Sequence, residues 1–168
     1  MEEESLEEIF ALPPDIIAKL KDPTILIRYI EDGKTFQEIL GYSEERMEAY
    51  YQKAKELFDR QAYEKAAEVF LFLTTLNPYV PSFWLGLGMS EELLHHFHEA
   101  LRAYGMAIFT HPQDPLPHYH SATCYLALHD PTHARQSLEL AVEAAKNNAH
   151  PLQSHAEEAL VRLKNKHF

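Results

Sequence analysis

The chain has 168 residues, 46% of them hydrophobic, and a formal net charge of −11. That length suffices for one domain with a real core, and the apolar share places it among globular sequences, not disordered ones. The charge argues against nucleic acid and anionic membrane surfaces, both of which are bound through clustered Lys and Arg. No run approaches the ~20 apolar residues needed to cross a bilayer. The segment Met1-Glu2-Glu3-Glu4-Ser5 is acidic where a secretory signal is basic and then apolar, so a cytoplasmic location is expected. The single cysteine, Cys124, can form no internal disulfide, which agrees with a reducing compartment.

Residues 1–42 read as a region of short helices. Ser5 to Leu12 is amphipathic and ends at Pro13-Pro14, and Pro14 can open a helix bearing Ile16, Ile17 and Leu20 on one face. Thr24 to Ile30 follows Asp22-Pro23 and is broken by Asp32-Gly33. Phe36, Ile39 and Leu40 then lead to Gly41, a helix C-terminal residue. The apolar residues of this region need a surface, either on the helices that follow or on a second copy of the chain.

From Ser43, a good N-cap with Glu44 and Glu45 at the positive helix end, a 34-residue period sets in. Tyr50, Trp84 and His118 mark it, as do Ala54, Gly88 and Ala122, then Ala66, Ala100 and Ala134, then Phe70, Tyr104 and Leu138. Pro78 and Pro112 close the first two units. A large residue, a small one, an alanine and an aromatic or leucine at these offsets is the tetratricopeptide pattern. The small residue lets two helices approach, the alanine fits their crossing, and the proline stops the second helix. One unit cannot bury its apolar face alone, so units stack and leave a concave surface.

The expected fold is all-α: three tandem tetratricopeptide helix-turn-helix repeats in a short right-handed solenoid, with N-terminal helices and a C-terminal capping helix. The repeats occupy about 47–80, 81–114 and 115–148 within 43–148. Helix A of the first repeat runs to about Asp59 and helix B from Tyr63 to Leu76, and Asp130-Pro131 caps and opens the last B helix. The remaining 149–168 carry a stripe of Leu152, Ala156, Ala159, Leu160 and Leu163 opposite Glu157, Glu158, Arg162 and Lys164, as the end of a solenoid requires. The A–B turns depart from the pattern, with Gln61, His95 and His129 where glycine is usual, so turns of different length or shape are expected.

The tetratricopeptide pattern that these units resemble implies that positions two, five, nine and twelve of each helix A face the concavity. Here they are Glu48, Tyr51, Lys55 and Phe58, then Ser82, Leu85, Met89 and Glu92, then Leu116, Tyr119, Thr123 and Leu126. So many aromatic and aliphatic side chains on an open surface call for a covering partner. Tyrosine offers area and a hydrogen bond, and methionine adapts to irregular shapes. An extended apolar segment is the guest such a wall fits, unless the molecule's own core or N-terminal helices occupy it.

Catalytic chemistry finds little support. His118 and His120 lie on different helix faces, His95 and His98 lack a third ligand, and no metal site is expected. Cys124, set among Ala122, Tyr125 and Leu126, reads as a buried inert thiol. No phosphate-binding loop, nucleotide fingerprint or nucleophile elbow is present, so neither an enzyme nor a cofactor is expected.

Phe83-Trp84-Leu85-Gly86-Leu87-Gly88, followed by Glu99-Ala100-Leu101-Arg102-Ala103-Tyr104, resembles the second repeat of the class II type III secretion chaperones. Asp114-Pro115-Leu116-Pro117-His118-Tyr119-His120-Ser121-Ala122 with Cys124 to Leu128, and Leu40-Gly41 leading to Met47-Glu48-Ala49-Tyr50-Tyr51, resemble it too. The resemblance covers roughly 36–146. It implies a bacterial cytosolic chaperone that binds hydrophobic translocator proteins through an extended, proline-containing segment and keeps them soluble and apart before secretion. It further implies a homodimer through the N-terminal helices, here Ile9, Phe10, Leu12, Ile16, Ile17 and Leu20, and no nucleotide. A tetratricopeptide module gripping an acidic tail is the weaker reading, because only Lys55 of the required basic clamp is present. A structural subunit whose apolar face is covered by self-association is a further alternative.

Overall fold

The structure, a computed structural model, describes residues 23–165 together with Pro14, Ile17 and Lys21. Its described elements are all helical, in the order α1 (Pro23–Glu31), α2 (Phe36–Leu40), α3 (Glu44–Asp59), α4 (Tyr63–Leu76), α5 (Pro81–Leu93), α6 (Phe97–Thr110), α7 (Pro115–Ala127), α8 (Pro131–Asn147) and α9 (Gln153–Asn165). Each helix from α3 onward packs on the next, and the first helices of successive pairs also touch, α3 with α5 and α5 with α7. Three helical hairpins therefore stack as tetratricopeptide repeats, and α9 closes the pile.

Local chemistry sets the helix ends. Thr35 and Glu38 form a reciprocal capping box at α2, whose C-cap Gly41 adopts φ +70°. Ser43 Oγ accepts from the Arg46 amide, Asp114 from that of Leu116 and Asp130 from that of His133, at 3.2, 2.9 and 3.0 Å. Proline opens α5, α7 and α8, where its missing N–H costs nothing.

Packing follows the period. Ala66, Ala100 and Ala134 are completely buried, each at a helix crossing, and Phe70, Tyr104 and Leu138 are sealed one turn later. Glycine at 86 and 88 is a steric demand. A methyl group at Gly88 would stand 2.4 Å from the Tyr104 ring, and one at Gly86 2.3 Å from that of Phe70. The large position is more varied: Trp84 donates from Nε1 to the Pro78 carbonyl at 2.7 Å, while His118 is buried, and burial holds its pKa below the usual histidine range. On α9, Ala156 and Leu163 are buried and Ala159 and Leu160 half-buried, as is Leu152 just before it, with Glu157, Glu158, Arg162 and Lys164 outside, as the stripe predicts.

The A–B turns correct one expectation. They are neither longer nor differently shaped. Gln61, His95 and His129 take φ of +61°, +62° and +60°, the left-handed geometry a glycine would supply. Each turn closes through one hydrogen-bond set, as in Gln61 N–H to Phe58 O and Ala62 N–H to Leu57 O. Ala149 repeats the arrangement between α8 and α9, with φ +50°. The helix pairs on both sides fix these turns, and residues with a Cβ bear the strain.

The expected helices before residue 22 lie outside the described residues, as do Ile9, Phe10, Leu12, Ile16 and Leu20. Ile17 is described and exposed, and so is Ile27 on α1. Among the described residues no helix is long and apolar enough to cross a membrane.

Because His129 is exposed and holds a left-handed turn, His129→Gly is expected to stabilise the fold by roughly 0.5–1 kcal/mol, the relieved strain less the added chain entropy. Thermal denaturation should show a rise of about 1–4 °C. A fall in melting temperature would mean that the turn is not strained.

Candidate peptide-binding site

Six of the residues expected to face the concavity, Ser82 among them, share one pocket. Tyr51, Lys55 and Phe58 of α3 and Ser82, Leu85 and Met89 of α5, joined by Asp59, Phe70 and Gly86, line a cavity of about 200 Å³. Because Gly86 has no side chain, the buried Phe70 ring lies close against it, and both line the cavity. Tyr51 is held edge-on to Phe70 at 6.1 Å and tilted on Phe83 at 5.6 Å. Phe58 meets Tyr63 edge-on at 5.3 Å. The walls are therefore fixed aromatic rings with little conformational entropy left to lose.

Charge sits at the rim. Lys55 Nζ lies 5.6 Å from the centre of the Tyr51 ring, a cation–π contact, and both Lys55 and Asp59 are exposed. Glu48, one turn before Tyr51, is exposed and accepts from Gln52 Nε2 at 2.6 Å. An apolar side chain entering here would find no unpaired buried polar atom, while the guest's backbone could reach hydroxyl and charged groups at the edge.

The third-repeat residues are not part of that pocket. Leu116 and Tyr119 are half-buried and Thr123 and Leu126 exposed, along the same stripe of α7. Tyr119 packs against the cluster of Ala122, Ala134, Leu138 and Leu163. The pocket thus spans the first two repeats, and the third-repeat residues lie outside it.

Glu92 is not an open groove residue. Its Oε2 accepts from the Tyr104 hydroxyl at 2.6 Å and from His120 Nδ1 at 2.9 Å, and 15% of its side chain is exposed. Burial and then the Glu92 charge push the Tyr104 hydroxyl pKa well above the usual tyrosine value. Burial, with Glu92 second, pushes the Cys124 thiol up to about 12, so this sealed cysteine stays protonated and unreactive. Among the described residues no three His, Cys, Asp or Glu side chains gather where a metal could be held.

Sequence reasoning missed Phe70, Gly86, Asp59 and His120. Phe70 had a packing role, and it also floors the pocket. The pairing of Gly86 with Phe70, 16 residues earlier, repeats in Gly88 and Tyr104, 16 residues later, but neither pair is visible without the packing. His120 carried no period signal.

A tetratricopeptide solenoid with an open apolar pocket on the inner side of its A helices defines a peptide-binding module. No protein-family model matches the chain. Chaperone protein SicA of Salmonella typhimurium is 25% identical over 120 residues, 71% of this chain and 73% of SicA. A type III secretion complex from Aeromonas hydrophila superposes with a TM-score of 0.78 at 25% identity, covering 85% of this chain and 96% of that one. PcrH of Pseudomonas aeruginosa, solved with the chaperone-binding region of PopD, gives 0.72 at 26% identity, covering 74% and 95%. In sequence and in fold the chain is thus similar to chaperones of type III secretion, as its repeat motifs imply.

Met89→Lys places a charge at the pocket wall and is expected to weaken binding of an apolar peptide at least tenfold, about 1.4 kcal/mol, while the melting temperature moves little. Tyr51→Ala should cost both affinity and roughly 2–3 kcal/mol of stability, since Tyr51 also supports Phe70 and Phe83. Titration beside thermal denaturation separates the two. A stable Tyr51→Ala chain would contradict the packing described.

Proposed function

We propose that the chain is a cytoplasmic chaperone of a bacterial type III secretion system. It holds an extended apolar, proline-containing segment of a hydrophobic translocator along its concave face and keeps that protein soluble and apart before secretion. The observation that carries this reading is the preformed pocket between α3 and α5, apolar inside and charged at its rim. Each side chain buried there contributes about 1.5–3 kcal/mol before ordering costs are subtracted, so two or three anchors suffice for a useful affinity. The PcrH complex with the PopD chaperone-binding region supports the choice of guest. The named relatives are chaperones, which supports binding over catalysis. The groove wall is Tyr51, Lys55, Phe58, Leu85 and Met89, continued by Leu116, Tyr119, Thr123 and Leu126, with Glu92 at the seam.

Co-expression with proteins encoded by neighbouring open reading frames should copurify a hydrophobic translocator, and Met89→Lys should release it. Recovery of the chain alone, with every such protein insoluble, overturns the reading.

The homodimer belongs to the same proposal, with Ile9, Phe10, Leu12, Ile16, Ile17 and Leu20 as its apolar contacts. The exposure of Ile17 supports it. Ile17→Asp is expected to shift the mass measured by light scattering from dimer to monomer, with groove binding retained. An unchanged dimer mass would remove Ile17 from the interface.

A further inference from the structure

The two walls of the groove meet at a single polar junction. Glu92 ends the stripe of Ser82, Leu85 and Met89 on α5, and His120 sits on α7 beside the stripe of Leu116, Tyr119, Thr123 and Leu126. The Glu92 carboxylate can only accept while ionised, so His120 Nδ1 carries the proton it shares with Oε2 at 2.9 Å. The same oxygen takes the Tyr104 hydroxyl at 2.6 Å, which ties α6 to the joint. The His120 ring stacks on Tyr104 at 5.6 Å and 25°, and meets Tyr119 edge-on at 5.9 Å. The imidazole is therefore fixed on two sides and by its hydrogen bond.

The packing of α7 on α6 and α8 holds it in the stack, and the bridge adds a direct constraint on its rotation relative to α5. Residues 116, 119, 123 and 126 share one face, so the rotation of α7 decides whether that face continues the wall of α5 or turns from it. α5 and α7 otherwise meet at few points, because the B helix α6 lies between their repeats. A side-chain bridge between partly buried groups, one of them charged, is strong enough to set such an angle.

We propose that Glu92, His120 and Tyr104 form a bridge that positions the third-repeat wall of the groove, with His120 acting as a positioning residue for Tyr119. The bridge touches no guest. It decides whether a segment anchored in the α3–α5 pocket finds a continuous surface beyond it. This rests on the groove reading above and adds the residues that hold the groove's shape.

The test uses full-length chain with spin labels at Lys55→Cys and Thr123→Cys, both exposed positions, since the sealed Cys124 thiol does not react. Electron-electron distance measurements should give one narrow distribution for the otherwise wild-type chain. His120→Leu, which removes the donor, should broaden or shift it, and His120→Asn, which keeps an amide donor, should restore it. Titration with the chaperone-binding region of PopD should show His120→Leu binding about tenfold more weakly and His120→Asn within about threefold of wild type. Identical distributions in all three chains, or equal disruption by Asn and Leu, overturn the proposal. The distance measurement needs no guest, so a wild-type chain that binds no peptide rejects the groove reading while the distances still decide this one.

Discussion

The ring of Tyr104 occupies the space where any side chain at Gly88 would have to stand, and Phe70 lies against Gly86 in the same way. Both contacts set a B-helix aromatic against a glycine of the second A helix, one from each side, so α5 is held between α4 and α6 at close range. Apolar area leaves water at every such contact, and the fit is tight enough that one methylene group would be felt. The spacing of the A helices, and hence the groove, descends from this clamp. The floor of the pocket is one of the two rings.

The packing of the repeats and the lining of the candidate pocket thus use the same side chains. Tyr51 completes an aromatic cluster with Phe70 and Phe83 and also walls the cavity. A rigid wall suits a guest that arrives extended, because ordering then falls on one partner only. The α7 wall, by contrast, is joined through a carboxylate, a phenol and an imidazole. An apolar pocket and a polar bridge between helices are different physical solutions, placed side by side in one stack.

Much of this was legible in the order of residues. The 34-residue recurrence located the helix pairs because small, alanine and aromatic positions must recur where helices cross. Ser43, Asp130 and Gly41 announced helix ends through the backbone groups they satisfy. Gln61, His95 and His129 misled, since local propensity argued for an altered turn while the packed helices imposed the left-handed one. Here tertiary context outweighed a local cost of about 1–2 kcal/mol.

What the sequence alone determined was periodic: three stacked hairpins, the stripe of each A helix, and motifs shared with the translocator chaperones. Only the tertiary structure decided which stripe residues meet. Six of them enclose the pocket with Phe70 and Gly86, whereas Glu92 turns to Tyr104 and His120. Periodicity reports the direction a side chain takes from its own helix. Pockets and hydrogen bonds depend on distances between helices, which are set by how far each ring can enter the gap left by a missing side chain.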